Sequence, residues 1–436
     1  MIKLRAGRLA LCLSALLALL ALSAGVAAAA TPGTATPGTT TPGTADNDTP
    51  SFGGPTTPEL QNKVTFIGDS VTAGFGYCGY VEHKKDTTKC KTNQEMDNSW
   101  GVTGENGLGD CAPKDEALAS DACSNNNYKG KPWLHAAWEA GDNAPNVAYP
   151  FQIAARQKGD EKAEVSDWAM TGSTPDNWDP VESGAFSGVV GKLKNQYVGM
   201  TLGANPLLAY FTKIKTNVPT TNVEGKCVFS TFKVESAWSW LGYGPEEYAG
   251  PISNAVECLK QQWNAEDQTQ HLVNLYTTLL EQNDKVVVMG YYRDCSWSFG
   301  NWQPNANFYS GPASGKDCKS QTREISKNDS KKVSQWEQAI AVGSELNNLI
   351  HDAVDKAKAE ADKRWGPKVA DDLVYTQPNE ADWEKHQPTS NDSWIFKNDT
   401  WIHPSKAGDT NLADTMTAAM CEHFDRWCDS GATWAK

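Results

Sequence analysis

Ser70 and His403 are the residues of this chain best suited to nucleophilic chemistry. Ser70 stands in Val64-Thr65-Phe66-Ile67-Gly68-Asp69-Ser70-Val71-Thr72-Ala73-Gly74, where an apolar run ends in a small residue, an acid and the serine. A strand that stops there and turns into a helix leaves the hydroxyl at the carboxyl edge of a sheet, where ligands of open α/β folds bind. The Ser70 N–H faces the same crevice as an oxyanion donor. Read alone, Ser70 serves equally well as a helix cap. His403 shifts that balance. It lies in Asp399-Thr400-Trp401-Ile402-His403-Pro404-Ser405-Lys406-Ala407-Gly408, and the proline directly after it fixes the backbone and keeps the ring in a loop. A free hydroxyl is a poor nucleophile near neutral pH, whereas imidazole, with an ordinary pKa of about 6.5, can take its proton and return it to a leaving group.

Met170-Thr171-Gly172-Ser173-Thr174 and Leu202-Gly203-Ala204-Asn205-Pro206 follow two further strand-like runs. A Gly172 N–H and the Asn205 side-chain amide could join the Ser70 N–H around a developing oxyanion, each such donor contributing roughly 3 kcal/mol. Taken separately, each reads as an ordinary turn residue. Gly74-Phe75-Gly76-Tyr77-Cys78-Gly79 matches the dinucleotide-binding glycine pattern. It starts too far beyond its strand, contains a cysteine and lacks the downstream strand with a ribose-binding acid, so dinucleotide binding is set aside. The Asn-x-Ser/Thr matches at Asn47, Asn328, Asn391 and Asn398 are short enough to arise by chance.

The elements that must position these groups are read from periodicity. Five short apolar runs stand out: Val64–Ile67, Glu164–Ala169, Tyr197–Leu202, Lys285–Gly290 and Asp372–Tyr375. Consecutive apolar positions such as Val286-Val287-Val288-Met289 suit strands covered on both faces, hence a mainly parallel five-stranded sheet of an α/β fold. Val333, Trp336, Ile340, Gly343, Leu346, Ile350 and Val354 predict a helix that stops at Gly366-Pro367. Leu412, Met416, Met420 and Phe424 predict a second, with a cap at Asp409. His351 and His423 fall inside these helices and read as ordinary helix residues. The intervals from Tyr77 to Pro150 and from Asn205 to Asp284 read as disulfide-stapled loop insertions, because neither shows a periodic core of its own.

The chain has 436 residues, 39% hydrophobic and 21% charged, which allows a sizeable core and excludes a multi-span membrane protein. Lys3, Arg5 and Arg8 precede an apolar run to about Leu22 and a small-residue stretch to Ala30, the order of a secretory signal peptide over residues 1–30. A lipid anchor at Cys12 is disfavoured because the apolar run continues past it. Residues 31–60, with three Thr-Pro-Gly-Thr units, form a disordered linker that could tether the protein to a cell envelope, and residues 61–436 form the folded domain. Losing the leader removes three positive charges and turns the net charge of -14 into -17, which disfavours nucleic acid as a partner. Apart from Cys12, ten cysteines remain: Cys78, Cys90, Cys111, Cys123, Cys227, Cys258, Cys295, Cys318, Cys421 and Cys428. An even number in an exported chain reads as five disulfides, most simply paired in sequence order, and no Cys-x-x-Cys suggests a metal site. Among seventeen tryptophans, Trp133, Trp138, Trp168, Trp178, Trp238, Trp240, Trp297, Trp302 and Trp401 lie near insertions or sheet edges, where indole stacks on sugars or lines an acyl pocket. Any single one could equally be interior packing.

Taken together, the chain resembles the GDSL/SGNH hydrolase superfamily. Gly68-Asp69-Ser70-Val71 resembles its first block, Gly172 its second, Gly203-Ala204-Asn205 its third and His403-Pro404 its last, in family order. The resemblance implies a three-layer α/β/α sandwich, ester hydrolysis through an acyl-serine, an oxyanion hole from Ser70, Gly172 and Asn205, and no cofactor or metal. Two departures matter. Pro206 stands where the family has an acid after the asparagine, and Thr400 stands where it has an acid three residues before the histidine. The group that orients His403 is therefore Asp399 through a shifted turn, or a backbone carbonyl near Thr400 or Trp401; a carboxylate would both select the tautomer and stabilise the imidazolium. The expectation is a secreted, monomeric serine esterase or lipase acting on carboxylic esters of lipids or acylated glycans. The alternatives are an acyltransferase using the same acyl-enzyme and a non-catalytic glycan-binding envelope protein.

Overall fold

A computed structural model describes residues 59–73, 138–139, 149–156, 163–169, 172–231, 233–234, 246–298, 318–387, 390, 392–395 and 403–424. All of them belong to the unit Gly54–Lys436, which is distinct from Met1–Gly53. The expected leader 1–30, nearly all of the linker 31–60, the glycine pattern Gly74–Gly79, Asp399 and five cysteines (Cys78, Cys90, Cys111, Cys123 and Cys428) lie outside the described residues.

Each of the five apolar runs forms a parallel strand: β1 Lys63–Gly68, then, after the two-residue β2 Trp138–Glu139, β3 Glu164–Asp167, β4 Tyr197–Thr201, β5 Lys285–Met289 and β6 Leu373–Thr376. Their order across the sheet is β6-β5-β4-β1-β3-β2, with only β2 antiparallel. Val64, Phe66, Val198, Met200, Val286, Val287 and Val288 are fully buried, as expected of strands covered on both faces. Thr65 is buried too, and satisfies its hydroxyl by donating to Gln196 Oε1 at 2.7 Å. The chain runs from β1 to β3 on one side and returns past β1 to β4 on the other. That reversal opens a crevice at the carboxyl end of β1, and Ser70 is the second residue beyond it.

The principal helices are α1 Tyr149–Arg156, α2 Leu208–Thr216, α3 Ile252–Ala265, α4 Gln268–Glu281, α5 Gln335–Trp365 and α6 Lys406–His423. Helix α1 packs on α6, and α5 packs on both α3 and α4. Ser334 caps α5 in a capping box with Glu337, and Gly366, at φ +92°, ends it before Pro367. Val333, read as the first turn of that helix, belongs instead to an antiparallel hairpin of Thr322–Ser326 with Asp329–Ser334.

The interval Asn205–Asp284 differs from the stapled loop expected of it. It holds α2, α3, α4 and a hairpin of Asn217–Thr221 with Cys227–Thr231. Its side chains Tyr210, Trp263, Leu272, Leu275 and Tyr276 enter the main core, so the interval includes the crossover that returns the chain to β5. The staple itself exists, because Cys227–Cys258 ties the hairpin to α3. Cys295–Cys318 is a second bridge, and Cys421 is also disulfide-bonded. Both resolved pairs follow sequence order. None of the described helices is long and apolar enough to cross a membrane.

Candidate active site

The turn after β1 is tied to the end of β4 on both sides of its serine. Gly68 has φ +134°, a conformation essentially reserved for glycine, and a Cβ there would collide with the Thr201 carbonyl oxygen. Asp69 N–H donates to that carbonyl at 3.1 Å. Thr72 Oγ1 also donates to it at 3.2 Å, accepts the Thr201 N–H at 3.0 Å and lies 3.0 Å from the Tyr149 hydroxyl. With its neighbours pinned to the end of β4, Ser70 is 8% exposed, and its Oγ lies 2.8 Å from Nε2 of the equally buried His403, 333 positions away. That distance suits transfer of the hydroxyl proton to the imidazole.

His403 is held by its own loop. Pro404 forms an antiparallel bridge with Ile395, Ser405 N–H donates to Trp394 O at 2.7 Å, and Ser405 Oγ donates to Ser393 O at 3.0 Å. The same serine caps α6, accepting the Gly408 N–H. The cap expected at Asp409 is thus found at Ser405, and Asp409 is a buried residue of the first turn. The sequence pattern alone could not choose between two cap-forming residues four positions apart.

Ser173 laces the expected oxyanion turns together. Its Oγ donates to Gly68 O at 2.9 Å and accepts the Trp178 Nε1–H at 2.9 Å, while its carbonyl accepts from Asn205 Nδ2 at 2.8 Å. Gly172, one residue before it, is exposed in a left-handed turn at φ +80°. An amide nitrogen carries two hydrogens, so Asn205 keeps one for a ligand after bonding Ser173. Pro206 in place of an acid does not leave Asn205 unsupported. The residue is held by Ser173, and the Ala204 N–H just before it donates to the Tyr291 hydroxyl at 3.0 Å.

Asp69 is 1% exposed beside the serine; its Oδ1 accepts the Val71 N–H at 3.0 Å and its Oδ2 accepts from the Tyr291 hydroxyl. Burial pushes its pKa up to about 6, against the lowering pull of Tyr291, the Val71 amide and the charge of His403. Sequence reading passed over Tyr291 and the bridging role of Ser173. The signal for Tyr291 was its place just past Met289, at the same sheet edge as the other turns. Asp399, Thr400 and Trp401, the expected sources of a partner for His403, lie outside the described residues.

Of the tryptophans suggested for ligand stacking, Trp168, Trp178 and Trp297 are buried in the core. Trp297 stacks on Phe211 and Tyr292, so at these three positions interior packing is the outcome. Searches of family models, curated proteins and solved structures return no match to this chain.

Proposed function

We propose that the chain is a secreted serine esterase of the GDSL/SGNH type, with a three-layer α/β/α domain, acting on carboxylic esters of lipids or acylated glycans. The observation that carries this reading is the 2.8 Å approach of His403 Nε2 to Ser70 Oγ at the crevice above β1. Ser70 Oγ attacks the ester carbonyl as His403 takes its proton, and the resulting oxyanion is received by the Ser70 N–H, the Gly172 N–H and the free hydrogen of Asn205 Nδ2. The imidazolium gives the proton to the departing alkoxide, leaving an acyl-serine and a neutral His403. Water then attacks the acyl carbon, its proton passing to His403 and on to Ser70 as the acid leaves. Asp399 would hold the imidazole in the tautomer this sequence needs.

A fluorophosphonate, which phosphonylates activated serines, tests this reading. Labelling of the intact protein is expected at Ser70, absent in Ser70→Ala and slowed roughly 1,000-fold or more in His403→Ala. A folded protein that resists the reagent, or label mapped to another serine, would overturn it.

A further inference from the structure

Tyr291 follows the carboxyl end of β5, and its main chain is clamped on both sides. Its N–H donates to Asn347 Oδ1 at 2.8 Å, and its carbonyl accepts from Asn347 Nδ2 at 2.8 Å and from Arg293 Nη1 at 3.0 Å. Trp297 packs edge-on against the ring, with centroids 6.1 Å apart. The side chain is 1% exposed, and burial raises the phenol's pKa well above its usual range, so it stays protonated. A single hydroxyl then makes two bonds. It donates to Asp69 Oδ2 and accepts from the Ala204 N–H. Asp69 immediately precedes Ser70, and Ala204 immediately precedes Asn205.

Resting on the esterase reading, we infer that Tyr291 is a positioning residue: bridging Asp69 and Ala204, it sets the spacing between the Ser70 amide and the Asn205 side chain that together receive the oxyanion. Oxyanion donors act because they are fixed before the charge develops, and they need distances near 2.7–3.1 Å from where it will sit. The three donors come from turns after three different strands, so the sheet register alone leaves their mutual distances soft. The phenol supplies a rigid link across that gap, anchored through Asn347 to helix α5. Removing it also leaves the Ala204 N–H without its acceptor, a group that would then seek another partner and tilt the peptide plane preceding Asn205.

The test is Tyr291→Phe in the full chain, assayed on a short-chain nitrophenyl ester and against a boronic acid, which adds to the serine as a tetrahedral anion. Expected are a roughly 10- to 100-fold fall in kcat with KM changed less than about twofold, and a rise in the boronate inhibition constant of the same size as the fall in kcat. A purely structural role would lower the thermal midpoint while leaving kcat and the boronate constant of the folded protein unchanged, and that result would overturn the inference. Should Tyr291→Phe fail to fold, Asn347→Ala serves in its place. It frees the Tyr291 main chain from both of its Asn347 bonds while keeping the phenol itself, so the link loses its anchor on helix α5. The same selective loss is expected of it, and an unchanged kcat would overturn the inference. Fluorophosphonate labelling of the unaltered protein separates the two levels. No labelling removes the esterase reading, whereas a labelled, active protein indifferent to both substitutions removes only the role of Tyr291.

Discussion

Gly68 shows how a single backbone conformation can carry a site. At φ +134° it lets β1 stop abruptly, bringing Asp69 N–H to the Thr201 carbonyl and presenting Ser70 one residue later. A methyl group at this position would meet both a forbidden backbone region and the Thr201 carbonyl oxygen. Gly68→Ala is therefore expected to lose about 2–4 kcal/mol of stability in denaturant unfolding, with the proposed esterase activity falling further than stability because the turn itself must shift. A variant within about 0.5 kcal/mol of the parent would mean that the turn adapts freely and the glycine argument fails. Ser173 belongs at this scale as well. Its hydroxyl donates to Gly68 O and its carbonyl accepts from Asn205, so one residue ties two other turns to its own.

At the level of elements, the placement of His403 depends on helix α6 and the strap 392–395 acting together. Ser405 serves both, since its hydroxyl caps α6 and donates to Ser393 O while its amide holds Trp394. Replacing it by alanine should cost roughly 1 kcal/mol in unfolding free energy. Because the cap lies two residues from His403, a several-fold fall in kcat is expected alongside. Full activity with the loss of stability would show that the histidine is fixed by other contacts. A comparable tie joins the segment Pro175–Trp178 to α4, where Asp179 Oδ2 accepts from His271 Nδ1 at 2.8 Å and from Asn274 Nδ2 at 2.9 Å. The tie through Asp179 spans 92 positions and lies beyond helix periodicity, whereas α6 itself is located by periodicity that does not choose between its two possible caps.

Across the whole molecule, several carboxyl groups are buried at a cost that depends on pH. Burial pushes Asp284 up to about 8, against the lowering pull of the Gln196 N–H, its Oδ1 partner at 3.0 Å. Its Oδ2 has no hydrogen-bond partner among the described residues. A carboxyl group whose folded pKa is raised binds its proton more tightly in the folded chain than in the unfolded one. Its contribution to stability is therefore full below the ordinary value of 3.8 and is lost as pH rises through about 8. Asp69, raised to about 6, adds a smaller loss of the same sign over a narrower window. Asp284→Asn keeps an acceptor for the Gln196 amide and removes the ionisation. Its stability relative to the parent should rise by as much as about 4 kcal/mol between pH 5 and pH 8, read from denaturant midpoints at each pH. A constant difference across that range would show that Asp284 does not titrate there.

What the amino-acid order determined by itself was local. Runs of β-branched residues gave five parallel strands, three- and four-residue spacing gave the two long helices, and the turn chemistry singled out Ser70, Gly172, Asn205 and His403. These signals need only neighbouring residues, because strand and helix preferences and turn geometries are short-range. Tertiary structure alone decided which turns meet. The sheet order with its reversal at β1, and the register that pairs Gly68 with Thr201, bring Ser70 to His403 across 333 positions. The same register sets Tyr291 between Asp69 and Ala204 and draws Asn205–Asp284 into the core as a crossover. None of these meetings follows from periodicity, since each depends on how separate elements stack and on buried polar groups finding partners far away along the chain.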